Sequence, residues 1–580
     1  MRLGTAATAT CWLSLLVLLS SSSSTTAAMT TPMSMETAQG VSGTEKEKAT
    51  PQASSAAAVS SSPRVADTDE ANFTHDPNGV DSHSTDSDLD SQYSNSKIRG
   101  GNGNGAASNA NTQQQKEKKK ERVNVIRAVY GPENGKVRKE VSLVEERSER
   151  SRTGILGNSS HIVPYENHPY DKASRKNRRL QEVKDLYKPI RIQFTTNALD
   201  GERTAQNGPQ IDFIKSKILP RMAAFWTQAL SVVPVSGDLF ISTSELDNRR
   251  YCGDSEFTEV PADHISSGIP DTDLMLYISG TPSSRFCSGS TLAVAVACNF
   301  DQFDRPTAGA INFCLDQIDL RADGTASDSI IQDNVDVAIH EAAHVLGMSS
   351  NSYRYFWDSE TGEPRTPRPF STTEVTCVDG QTRNAVLPAE NTMKFFLAEN
   401  GQRFASIVTP RVRTMARNQF NCQSLAGAQL ENQPTGSESC TGDHWDERLF
   451  YPEALSGVIS PTTNILSHIT LALMEDSGWY KANYTQGQAS PWGLNAGCDF
   501  VTDTCLIPSA TTPQIPAYSR GYFCNEGSRR GCSPALTHKL ACSVIDYNYI
   551  LPRRIPDEQF QYFTSAPTRG GPRQADYCPV

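Results

Sequence analysis

The octet HEAAHVLG, His340 to Gly347, constrains this chain more than any other stretch. Its histidines stand four residues apart, so on a helix both rings project from one face, a turn apart. Two imidazoles so placed can grip one metal ion, and zinc is the ion such a pair suits best. Glu341 falls beside that face, where a carboxylate can hold a water and take its proton. The preceding run IIQDNVDVAI is apolar and β-branched, as a buried helix requires. Gly347 permits a left-handed backbone that a side chain opposes, which predicts a sharp helix end and a chain turning beneath the metal. Three residues later stands Ser350, whose hydroxyl is a poor zinc ligand. A third ligand must come from further along.

Three histidines lie downstream: His444, His468 and His538. His444 follows a Gly- and Ser-rich stretch and precedes Trp445, in a loop able to fold back, which makes it the best candidate. His468 lies between Ile465 and Ile469 in a helical pattern, the mark of a core or helix-face residue. His538 sits among the terminal cysteines. Glu360 and Glu363 offer a carboxylate ligand instead, but in a Gly- and Pro-containing loop rather than on a second helix.

The 580 residues leave room for two or three domains. The net charge of −11 argues against a nucleic-acid partner, which would call for a basic face. The first residues, with Arg2 ahead of the apolar Cys11–Leu19 and small residues at 26–28, read as a secretory leader, residues 1–28. No other run is apolar and long enough to span a bilayer, and the closing QADYCPV carries no hydrophobic tail for a lipid anchor. Residues 29–122 are polar and poor in aromatics, a low-complexity segment expected to stay disordered. Residues 123–180 regain some pattern and end in the basic run Arg175-Lys176-Asn177-Arg178-Arg179, a plausible processing site. Of the 14 cysteines, Cys11 falls in the leader and the rest lie from Cys252 to Cys578. That placement implies a disulfide framework, and the odd number leaves one thiol outside it. Asn72, Asn158 and Asn483 open glycan-acceptor tripeptides.

Globular signals start at KPIRIQF, which alternates like a strand, and continue in a helical pattern through Ile214, Ile218, Met222, Phe225 and Leu230, with Pro220 kinking or restarting that helix. Short strands are expected at DLFIST, DLMLYIS, TLAVAVAC and AGAINFC, the last as the edge along which an extended substrate could pair. After the motif, residues 351–443 read as an insertion with one clear helix opening at Thr409-Pro410. Another helix is expected through NILSHITLALMEDSGWY.

Taken together, HEAAHVLGMSS, VTPRVRTMARNQFNCQSLAGAQLENQ, GDHWDERLFYPEALSGVIS and LALMEDSGWY resemble the leishmanolysin family, metzincins in which an insertion separates the glycine turn from the third histidine. With the cysteine-rich tail the likeness covers about residues 185 to 570. It implies an α+β fold: a metzincin-type zincin catalytic domain with a large insertion and a disulfide-rich C-terminal domain. It implies one zinc ion on His340, His344 and His444, with Glu341 as general base in a secreted endopeptidase acting on proteins or peptides. The family also implies contact with cell-surface or matrix proteins, and an adhesion protein with a structural zinc is the competing reading. Two features depart from the pattern. The family's methionine under the metal, eleven residues past the third histidine, is here Leu455, of similar volume. The family's propeptide cysteine has no counterpart between Cys11 and Cys252, which leaves His161, His168 or Asp171 to cap the metal if that segment inhibits at all. The expected divisions are 1–28, 29–122, 123–180, 181–350 carrying the motif helix, 351–443, 444–490 carrying the third ligand, and 491–580.

Overall fold

The computed structural model describes residues 162–171 and 186–580, apart from 283–284, 288–290, 436–438, 459, 461–463, 550–554 and 556–557. All fall within the unit Ser108–Val580. The expected leader, the low-complexity segment, the basic run at 175–179, Asn72, Asn158 and His161 lie outside the described residues.

A four-stranded sheet organises the first half. Its strands are β1 (Ile192–Thr195), β2 (Leu274–Ser279), β3 (Ala293–Phe300) and β4 (Pro306–Phe313), in spatial order β1-β2-β4-β3. The first three in that order run parallel, and β3 pairs antiparallel with β4. The middle strands read as apolar runs because both faces are covered. Leu274, Leu276 and Ile278 of β2 turn to the main core, while Met275 and Tyr277 turn to a second core on the opposite face. In β3 the alanines 293, 295 and 297 face the main core and Val294, Val296 and Cys298 the other.

Two helices cover the main face. Helix α1 (Leu219–Ala229) continues from a π-turn at Ile214–Ile218, and Pro220 sits in its first turn, where no intrahelical N–H is lost. Helix α2 (Asp328–Leu346) packs on β3, β4 and α1. The indole N–H of Trp226 donates to the carbonyl of Ile339 at 3.2 Å and fixes α1 against α2. Ser327 caps α2 by accepting from the Ile330 N–H.

Two sequence expectations need correction. AGAINFC is not an edge: it forms β4, held between β2 and β3, so its backbone groups are already paired and β3 is the edge beside it. DLFIST does not form a strand; it makes a single isolated bridge, between Leu239 and Ile269, outside the sheet.

The insertion holds more strand than its helix signal suggested. It contains the hairpin β5 (Thr373–Thr376) and β6 (Thr382–Ala385), then β7 (Met393–Leu397) paired with β8 (Arg403–Ile407), which β9 (Ala428–Gln429) extends. Helix α3 (Pro410–Phe420) packs on α4 (His468–Asp476). The carboxylate of Asp476 accepts from the first N–H groups of α3, those of Arg411 at 2.8 Å and Val412 at 3.1 Å. Among the described residues six disulfides form: Cys252–Cys298, Cys287–Cys314, Cys377–Cys440, Cys422–Cys498, Cys505–Cys578 and Cys524–Cys542. Cys532 takes no part in these six. The Cys422–Cys498 bond ties the insertion to the cysteine-rich tail. Among the described residues no helix is long and apolar enough to cross a membrane.

Candidate metal centre

Helix α2 delivers His340 and His344 to one spot because they sit one turn apart on its buried face. The helix ends at Gly347, whose φ is +129°. Its N–H bonds back to the carbonyls of Ala343 and His344, and the Met348 N–H reaches Ala343. A Cβ on Gly347 would lie 2.7 Å from the indole of Trp479, so both backbone angle and space demand glycine.

The Ser349–Ser350 turn carries no third nitrogen; it receives the loop that does. The Ser350 N–H donates to Asp443 Oδ1 at 2.6 Å, and the Ser349 hydroxyl donates to the same oxygen at 3.3 Å. Asp443 immediately precedes His444. That contact brings His444 beside the helix pair, with its ring centroid 5.1 Å from those of both His340 and His344. The three side chains are buried, and their ligand atoms lie within 4.8 Å of one another. Among the described residues this is the group able to hold a metal. His468, at the start of α4, instead stacks on Tyr484, and His538 bonds Thr537. His168 stacks on Phe303 at 3.9 Å.

Each ring is oriented from its Nδ1 side. Nδ1 of His340 meets the Ala454 carbonyl at 2.5 Å, that of His344 the Met348 carbonyl at 2.6 Å, and that of His444 Oε1 of Glu431 at 2.7 Å. An acceptor oxygen requires the proton on Nδ1, which leaves Nε2 as a lone pair. The Nε2 atoms of His340 and His344 then face each other at 2.9 Å, an arrangement a shared cation satisfies. Burial and the neighbouring imidazoles push His340 well below the usual histidine range, and burial above all takes His344 down to about 3. Neutral imidazoles on three sides are a donor set that fits zinc.

Glu341 is wholly buried, and neither carboxylate oxygen has a hydrogen-bond partner among the described residues. Burial raises its carboxyl well above the ordinary range. Leu455 is fully buried next to Ala454, and its carbonyl accepts from the Trp445 N–H at 2.9 Å, joining the segment that meets the His340 ring to the loop that carries His444.

Sequence reasoning missed Glu431. Its Oε1 accepts from both the His444 ring and the Asp443 N–H, and a Cβ at Gly442 would collide with its carboxylate. The one legible signal was an acidic residue in the otherwise strand-like AQLE, thirteen residues before His444.

The profile of the leishmanolysin family matches residues 210–580. The chain belongs to the leishmanolysin family. It is 28% identical over 460 residues to a leishmanolysin-like peptidase of Caenorhabditis elegans, covering 68% of this chain and 66% of that protein. It is 28% identical over 375 residues to leishmanolysin of Leishmania major, covering 64% and 50%. Against a ciliated left-right organizer metallopeptidase of Xenopus laevis it is 33% identical over 286 residues, covering 48% and 34%. The chain thus spans between about a third and two thirds of these relatives' lengths.

Proposed function

We propose that this chain is a secreted zinc endopeptidase of the metzincin type, with one zinc held by His340, His344 and His444 and with Glu341 as general base. The observation that carries the proposal is the meeting of three buried, inward-facing imidazoles beside a buried carboxylate whose oxygens lack hydrogen-bond partners among the described residues. A zinc held only for stability has no use for such a carboxylate. The nematode and frog relatives bear the names of peptidases, which supports the same reading.

Zinc, when bound, would supply a Lewis acid that polarises the scissile carbonyl and acidifies a water. Glu341 takes the proton of the attacking water and delivers it to the leaving amine. The carbonyls of Ala454 and Met348 and the carboxylate of Glu431 hold the three rings with Nε2 inward. Substrate backbone is assigned to the edge strand β3 rather than to the interior β4. The site draws on 181–350 for two ligands and the base and on 444–490 for the third ligand and the Leu455 floor, with 351–443 an insertion and 491–580 a stapled tail. A leader at 1–28, a low-complexity 29–122 and a propeptide-like 123–180 complete the proposed organisation.

Casein cleavage by the protein and by Glu341→Ala, each with and without a zinc chelator, tests the proposal. Cleavage by the wild type alone, stopped by chelation, is the expected result. Chelator-insensitive cleavage, or equal cleavage by Glu341→Ala, would overturn it.

A further inference from the structure

Residues 162–171 lie ahead of the basic run at 175–179 yet are built into the folded unit. Val163 is 3% exposed and belongs to the second core, with Val235 and Leu239. The carbonyls of Val163 and Pro164 accept from the Gln302 side chain and the Ser236 N–H, both at 2.9 Å. The Tyr165 hydroxyl donates to Asp301 at 2.5 Å and accepts from Arg305 at 2.9 Å. His168 stacks on Phe303 at 3.9 Å with an interplanar angle of 10°. Tyr170 stacks on Trp357 at 5.1 Å and 9°, and its hydroxyl donates to the Gly478 carbonyl.

Connectivity does not force this docking. The fourteen residues between Asp171 and Leu186 can reach about 50 Å when extended, so the segment could sit far from the domain at little cost. It is held by its own contacts. Those contacts also serve the domain. Arg305 is 2% and Asp301 1% exposed, and the Tyr165 hydroxyl bridges the two. Without the segment, Arg305 would lose that bonded oxygen, and Phe303 and Trp357 would lose the rings that cover them.

We propose that the 301–305 loop and Trp357 form a peptide-binding slot whose occupant is residues 162–171 of this same chain, and that this segment stays bound when the backbone is cut between Lys172 and Gln181. Val163, Tyr165, His168 and Tyr170 are the anchors. Cutting makes the amino-terminal fragment a non-covalent subunit rather than a discarded leader. The slot selects a short motif of one aliphatic and three ring side chains, in which one phenol spans a buried Arg–Asp pair.

The test uses the full chain with Arg175–Arg179 replaced by the recognition sequence of a site-specific protease. After cutting, size-exclusion chromatography and mass measurement show whether the fragment ending near residue 175 travels with the domain. Co-elution is expected, and the double variant Tyr165→Phe, Tyr170→Ala should lower the retained fraction by roughly tenfold or more, the effect of losing buried hydrogen bonds and a stacked ring. A synthetic peptide of residues 160–173, in excess, should displace the fragment from the cut wild-type protein, which covers the case in which the variant fails to fold. The same peptide with alanine at 165, 168 and 170 should not displace it. A wild-type fragment that elutes apart from the domain overturns the proposal. So does retention that both peptides, or neither, disturb. The readout is binding alone, so it stands or falls independently of peptide hydrolysis.

Discussion

Glu431 gives the third histidine something the other two lack. His340 and His344 lean on neutral carbonyls and on a rigid helix, whereas His444 comes from a loop and leans on a carboxylate. An anionic partner fixes the ring and strengthens its nitrogen as a donor. Zinc affinity, measured by chelator competition, should therefore fall about 10- to 100-fold in Glu431→Ala and less in Glu431→Gln, which can still accept the ring N–H. His444→Ala should lose most of its zinc, and His468→Ala should match the wild type. Equal affinity for Glu431→Ala and wild type would remove the positioning role. Glu447, three residues past His444, is wholly buried, and burial with the nearby Glu431 pushes its carboxyl up to about 8. The folded state thus keeps a proton that the unfolded chain gives up above about pH 4.5, so this group's contribution to stability is full below that pH and lost as pH rises through about 8. Each tenfold difference in proton affinity between the two states is worth about 1.4 kcal/mol. Glu447→Gln should flatten the decline of melting temperature between pH 5 and 8; an unchanged slope would assign that decline to other groups.

At the scale of elements, the end of α2 is the most demanding joint. Gly347→Ala would place a methyl 2.7 Å from Trp479 at a φ of +129°, a strain of about 1–3 kcal/mol. The expected outcome is a lower melting temperature together with weaker zinc binding, since Met348, the next residue, holds His344. A variant that melts and binds zinc like the wild type would show that the turn yields freely. This joint was legible in the sequence because everything it needs lies within eight residues: two histidines at helical spacing, a carboxylate and a glycine. The buried strands DLMLYIS and TLAVAVAC were legible from apolar runs of the right length. The position of AGAINFC in the sheet was not, because it depends on pairings between separate segments, as between Met275 and Ala308, which no local pattern records. DLFIST misled because its alternation matches a strand although it pairs through one bridge only. Glu431 was hidden for a similar reason: its importance comes from what the fold sets against it.

For the whole molecule, the metal centre joins distant parts of the chain. Two of the three clustered histidines come from α2, and the third comes from a loop one hundred residues beyond His344. Zinc bound only by the folded state would stabilise it by about 4 kcal/mol when free zinc is a thousandfold above Kd. Removing zinc with a chelator should therefore lower the melting temperature of wild type and of Glu341→Ala alike. The same treatment should leave His444→Ala nearly unmoved. A wild-type transition indifferent to the chelator would mean that the disulfides alone hold these parts in place.

The bond from Ser350 to Asp443 has an engineering meaning. It pins the mouth of a 92-residue span, whose interior reaches the site again through Glu431 and is tied back beside it by the Cys377–Cys440 bond. Within that span, the turn of the β5–β6 hairpin, held at Cys377 by Cys440, carries Gly380 exposed, with nothing within 4 Å of where a side chain would begin. Doubling a closed loop costs only about 0.6 kcal/mol of chain entropy. The insertion is thus a socket: a reporter or targeting module spliced at Gly380 would ride on the protein as cargo while the site it decorates stays in register.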